Sequence, residues 1–307
     1  MYDWHQISAK APWQGRDSQG FYVQGNQLWV FGGWYSPQDP NPRDVWSSED
    51  GVSWDCLNAE APWEHGDLPA VFYRGGKHWL MGGRKVPGKE NSNLIWSSPD
   101  GREWTQAGSA DWCPRVCHSY TEHEGRLWIL GGTENFYDDN PETLKNDVWV
   151  SDNALDWECV TSEAPWSKRR DAQVVSFKGK IWIIGGGSWH PETCPRNDVW
   201  SSLDGVNWNC VTESAAWTKR LWTSVVVYRE RLFLFGGWNR EQGNFNDVWH
   251  SENGREWTEL HCETIWTPRH AQSAYVKDDR IWLCGGHAEP VNSEVWTIQL
   301  PVDWDGK

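Results

Sequence analysis

The chain has 307 residues, a net charge of −15, 28 tryptophans and eight cysteines. That acidity argues against nucleic acid and anionic membranes as general partners, since both are held by basic surfaces. No apolar run reaches membrane-spanning length, so the expectation is a water-soluble protein, and the length alone would allow two domains.

In chain order, Asp3-Trp4-His5-Gln6-Ile7 reads as a lone strand. Six units follow, each marked by a double glycine: Gly32-Gly33, Gly82-Gly83, Gly131-Gly132, Gly185-Gly186, Gly236-Gly237 and Gly285-Gly286, spaced 49 to 54 residues apart. A fixed period near fifty points to a propeller. Before each pair stand two apolar runs and a tight turn, as at Lys178-Gly179-Lys180. After it come a loop and a third strand, as in Asn146-Asp147-Val148-Trp149, Asn197-Asp198-Val199-Trp200 and Asn246-Asp247-Val248-Trp249. A Ser-x-Asp-Gly turn, as at Ser202–Gly205, leads to a fourth strand that begins at a Trp eight residues after the third-strand Trp. Four antiparallel strands per unit and six units predict an all-β fold, a six-bladed β-propeller filling residues 1–307 as one domain.

The last unit stops after its third strand at Trp296, so residues 1–10 are expected to complete blade six by strand exchange. Trp304 also lies eight residues beyond Trp296 and competes for the place, but the chain ends three residues later and Trp4 is favoured. Of the 28 tryptophans, 24 occupy four repeat positions and read as packing. Each buried indole removes roughly 150–250 Å² from water, at most about 4–6 kcal/mol. Cys56, Cys159 and Cys210 share one register in different blades, too far apart to bridge. The cysteines read as small apolar fillers in a reducing compartment, hence the cytoplasm. The first residues lack a signal-peptide core, and a removed leader stays open.

The double glycine, the downstream Trp and the four-strand unit resemble kelch repeats of the galactose-oxidase-like kind found in bacterial proteins. The likeness covers essentially the whole chain and implies the propeller fold, while its relatives include enzymes, sugar binders and protein adaptors. The Ser-x-Asp-Gly-x-x-Trp turn is similar to the Asp-box of sialidases but lacks its spacing. No Glu-x3-Asp-x3-His iron motif of nitrile-specifier relatives is present, and the Tyr-Cys cofactor and copper ligands of galactose oxidase cannot be placed. No motif requires a cofactor.

Length variation is confined to one connection. From double glycine to third-strand Trp the counts are 14, 14, 18, 15, 13 and 11, whereas loop Trp to the next double glycine is always 19. The face carrying the loops between strands two and three is therefore the expected functional face. Trp34, Trp189, Trp222 and Trp238 lie outside the repeat, all on that face, as an aromatic wall that Tyr35, Phe136 and Tyr137 could extend. Arg16, Arg115, Arg169, Arg220 and Arg269 each stand sixteen residues before a double glycine, with Gly66 in blade two. They read either as an anion-binding ring at the channel mouth or as structural partners of acids such as Asp17, Asp67 or Asp171. Cys113, Cys117 and His118 are the nearest approach to a metal motif, although Cys117 and His118 should face opposite ways on a strand. Acid–base candidates are Glu134, Asp138, His118, His270, His287 and Glu289.

The expected function is binding of a small anionic or sugar-like ligand at this face by a monomer. The alternatives are an enzyme acting on such a ligand, whether a sialate mutarotase-like isomerase or a metal-dependent lyase or oxidase, and a module for acidic peptides.

Overall fold

The computed structural model describes residues 2–88, 90–137, 140–190 and 194–306. Six four-stranded antiparallel sheets form the blades of a propeller. Blade four shows the pattern: Gln173–Phe177, Lys180–Ile184, Val199–Ser202 and Trp208–Thr212 pair in succession. Blade six takes its outer strand from the other end of the chain, His5–Ser8 pairing with Val295–Ile298. Trp4 beside it is buried against Phe235 and Trp266. Trp304 instead packs on Phe233, His250 and Arg231 of blade five. The closing strand is therefore N-terminal.

Each class of repeat tryptophan has one structural duty. The loop indoles Trp13, Trp63, Trp112, Trp166, Trp217 and Trp266 are at most 2% exposed and form the blade cores. The second-strand indoles cover the turn glycine of the following blade. A Cβ on Gly254 would sit 2.3 Å from Trp182, and one on Gly205 2.4 Å from Trp128. The turn itself is held by Ser202, whose Oγ accepts from Gly205 N, and by Asp204, which accepts from Val206 N and Asn207 N. Those backbone donors hold the Asp204 carboxyl down at about 2.

The double glycine is a point of close approach between blades. Gly33 N donates to Gly66 O of the next blade, and Gly132, Gly237 and Gly286 do the same to Arg169, Arg269 and Arg16. Gly32 has φ +56°, and a Cβ there would meet Gly66 O at 2.5 Å.

Around the axis, Ser18, Leu68, Cys117, Asp171, Trp222 and Ala271 all adopt left-handed backbone, with φ between 51° and 57°. Such a conformation costs an L-residue roughly 1–2 kcal/mol, so six in register need compensation. It comes from main-chain bonds between blades: Ser18 N to Ala271 O, Leu68 N to Ser18 O, Asp171 N to Cys117 O and Ala271 N to Trp222 O, each 3.0 Å. This collar narrows the channel and turns all six side chains onto its wall.

Candidate functional site

Immediately outside the collar the inner strand of each blade forms a short backbone bridge to the residue after its double glycine. The pairs are Asp17 with Trp34, Asp67 with Arg84, Val116 with Thr133, Arg170 with Gly187, Leu221 with Trp238 and His270 with His287. Of these two rings, Asp17, Trp34, Asp67, Arg84, Trp238, His270 and His287 line a cup on the face of the two–three loops. The cup has a volume of about 370 Å³. Its lining includes all four surplus indoles, Trp34, Trp189, Trp222 and Trp238, with Phe136 and Tyr137. The collar residues Ser18, Leu68 and Trp222 are its floor and the entrance to the channel, a cavity of about 220 Å³.

The aromatic groups are ordered. Trp34 stacks on His287 (5.9 Å, 17°), His287 on His270 (4.9 Å, 16°) and His270 on Trp222 (4.8 Å, 20°). Trp189 meets Trp222 and Trp238 edge to face at 4.9 and 5.3 Å. His270 and His287 therefore belong to this wall. The register after the double glycine could have shown it, since it reads Trp34, Arg84, Thr133, Gly187, Trp238 and His287 around the ring.

Three ion pairs lie beneath or beside the aromatic wall. Asp17 accepts from His287 Nδ1 at 3.3 Å. Burial lifts the Asp17 carboxyl above its ordinary range, and the hydrogen bond to Asp17 lifts His287 above its own. Arg84 donates through Nε to Asp67 Oδ2 at 2.8 Å. Burial pushes Asp67 up to about 6 although Arg84 pulls the other way. Arg170 Nε lies 3.4 Å from Asp171, while its Nη1 donates to Phe136 O at 2.8 Å. Phe136 lies against both guanidiniums, 3.8 Å from Arg84 and 4.7 Å from Arg170. Arg84 Nη1, Arg170 Nη2 and Asp67 Oδ1 are buried without a hydrogen-bond partner in the protein. Leaving such atoms unmade costs about 1–3 kcal/mol each.

The arginine ring is different from an anion trap. Arg16, Arg115, Arg169, Arg220 and Arg269 are at most 1% exposed. Arg169 forks onto Asp198 with two 2.8 Å bonds and reaches Gly185 O at 2.8 Å. Arg16 takes Asp44, Arg115 Asp147, Arg220 Asp247 and Arg269 Glu294. The partners are thus the third-strand acids of the same blade, not Asp17, Asp67 or Asp171. The same carboxylates accept the indole N–H of Trp46, Trp149, Trp200, Trp249 and Trp296. Burial alone would lift Asp198, but its arginine and indole hold it below the ordinary range. Blade two lacks both halves, with Gly66 in place of the arginine and Leu94 in place of the acid. That joint loss was the sequence signal for the pairing.

The remaining candidates separate. Tyr35 is half-buried and does not line the cup. Glu134 pairs with Lys145, and Glu289 stands exposed at the cup rim. Asp138 lies outside the described residues. His118 is buried on the channel wall beyond the collar, its pKa depressed to about 3 by burial. Cys113 Sγ faces Arg115 Nη2 at 3.1 Å while Cys117 lies in the collar, and these two with His118 form no common ligand cluster among the described residues. Asp17, His270 and His287 do, with ligand atoms all within 4.8 Å of one another.

The fold defines a six-bladed β-propeller that carries an aromatic-walled cup on one face. Residues 190–301, from the two–three loop of blade four to the end of blade six, match the family model described as the DUF6242 beta propeller domain. No curated protein matches the chain.

Proposed function

We propose that this chain is a kelch-type propeller whose cup binds a sugar-like ligand. The supporting observation is the pairing of an indole wall with Arg84 and Asp67, which keep one donor (Nη1) and one acceptor (Oδ1) without a protein partner. A hydroxyl group both donates and accepts, so adjacent hydroxyls of a sugar suit that pair, and the C–H face of its ring suits an indole. A simple anion suits it less, because Asp17, Asp67 and Glu289 also line the cup. An acidic peptide meets the same repulsion. Calorimetric titration with a panel of neutral and acidic monosaccharides tests the reading. One sugar should bind, and Trp34→Ala and Asp67→Asn should each weaken it at least about tenfold, the loss of one good contact. Saturation of neither the parent nor any variant by any sugar would refute it.

A second reading is favoured by the Asp17–His287 pair. Both groups hold protons to higher pH than in water and both line the cup, as an acid–base pair for a mutarotase-like isomerase would. Anomer exchange of the bound sugar, followed by NMR, should then be fast in the parent and slow in Asp17→Asn. Equal rates would dismiss it. A metal-dependent reaction would draw on Asp17, His270 and His287 instead of the cysteines, and would require stoichiometric metal in the purified protein.

A further inference from the structure

We infer that an anion-accepting subsite adjoins the cup, and that the ligand is an acidic saccharide of two or more residues; this deepens the sugar reading and rests on it. A second cavity, of about 380 Å³, lies beside the cup, lined from blade four by Ser188, Trp189, Cys194 and Pro195 and from blade five by Trp238, Asn239, Arg240 and Glu241, with Thr218 and Lys219 from the connection between them. Trp189 and Trp238 line both cavities. This edge-to-face pair, 5.3 Å between centroids, is therefore a wall with space on each side. Ligand pockets start at roughly 300 Å³, so each cavity suits a small ring and the two together suit a short chain crossing the indoles.

The second cavity differs from the first in charge. Its charged side chains among the described residues, Lys219, Arg240 and Glu241, are all exposed and sum to a positive charge. Neither cation forms an ion pair among the described residues, in contrast to the buried arginines of the blades and cup. Asn239 fixes their geometry. Its Nδ2 donates to Lys219 O at 3.0 Å, and its Oδ1 accepts from Glu241 N and Gln242 N at 3.1 and 2.8 Å. That turn holds Arg240 over the same cleft as Lys219, on the short hairpin Trp238–Asn239 with Gly243–Asn244. In a chain of net charge −15 a local excess of unpaired cations is where an anion is admitted, and a carboxylate or sulfate on the second sugar residue fits it.

The test titrates the full chain with acidic oligosaccharides (galacturonate, hyaluronan and sialyl oligomers), their carboxyl-methylated counterparts and the corresponding monosaccharides. The expected result is one acidic oligomer that binds at least about tenfold tighter than its methylated form. The Lys219→Ala/Arg240→Ala double variant should abolish that difference while leaving monosaccharide affinity unchanged. Trp34→Ala should weaken both. Equal affinity for charged and methylated oligomers, or a charge preference that survives the double variant, overturns the subsite while monosaccharide binding keeps the cup reading intact. No binding of any sugar overturns both.

Discussion

Five times in this molecule an arginine, an acid and an indole form one closed unit, and the sixth blade position shows what happens without it. Blade two folds with Gly66 and Leu94 there, so the charges are dispensable together but not singly. Removing one partner of a buried pair costs about 3–5 kcal/mol, whereas replacing both with apolar groups is often near neutral. Arg169→Leu and Asp198→Leu should each destabilise by that amount in urea unfolding, and the double variant should cost clearly less than their sum. Strict additivity would mean that the fork is not the interaction lost. The histidines make a second prediction. Burial keeps His78 and His250 neutral down to about pH 4, and His118 and His270 down to about pH 3. Unfolded, each takes a proton near pH 6.5. Between those values the unfolded chain takes up protons at these four rings that the folded chain does not, which lowers stability as pH drops from 6.5 toward 4, partly offset by Asp17, Asp67 and His287, which hold their protons more tightly when folded. A melting temperature that rises across that window would contradict the burial of these rings. At this scale the sequence revealed which residues were special but not their partners. The arginines were visible through their spacing, and their acids were hidden inside a motif that read as strand. His287 and Asp17 were each visible as candidates, but their pairing across blades six and one was not.

The strands and turns were the most readable level, because each is dictated by a pattern that recurs six times. The turn after the third strand, Ser-x-Asp-Gly in blades one, two and four and Ser-x-Asn-Gly in blade five, shows what its last position must satisfy. Gly254 has φ +70° and lies against Trp182. Blade three has Ala154 at the same place with φ 69°, so the backbone tolerates a Cβ and the contact with the neighbouring indole decides the cost. Gly254→Ala should therefore destabilise by about 1–3 kcal/mol, and Gly254→Ala combined with Trp182→Phe should recover part of it in chemical denaturation. No recovery would place the cost in the backbone. The two–three loops follow no period, and their individual conformations were not readable. The mini-hairpin at Trp238–Asn244 and the helical turn at Pro141–Thr143 are local turns without counterparts in the other blades' repeat pattern, so nothing periodic marked them. Even so, their variable length was enough to identify the face on which the cup lies.

At the scale of the whole molecule, closure depends on four residues from the far end of the chain. Deleting residues 1–10 removes His5–Ser8 and the buried Trp4, and exposes Val295–Ile298 as an unpaired edge. That truncation should lower the melting temperature sharply and produce oligomers in size-exclusion chromatography, whereas Trp304→Ala should leave both nearly unchanged. A monomeric, parent-like truncation would show that the ring does not need its clasp. The six left-handed residues around the axis bear on a different matter. Main-chain bonds join them from blade to blade, so the repeat leaves their side chains free to vary, and one register accommodates Ser18, Leu68, Cys117, Asp171, Trp222 and Ala271, although Asp171 beside Arg170 and Trp222 against His270 and Trp189 have taken on side-chain contacts of their own. The passage inward from the aromatic mouth is therefore an iris whose plainer segments, Leu68 and Ala271 among them, are open to replacement. Its bore and polarity can drift or be redesigned while the architecture that carries it stays fixed.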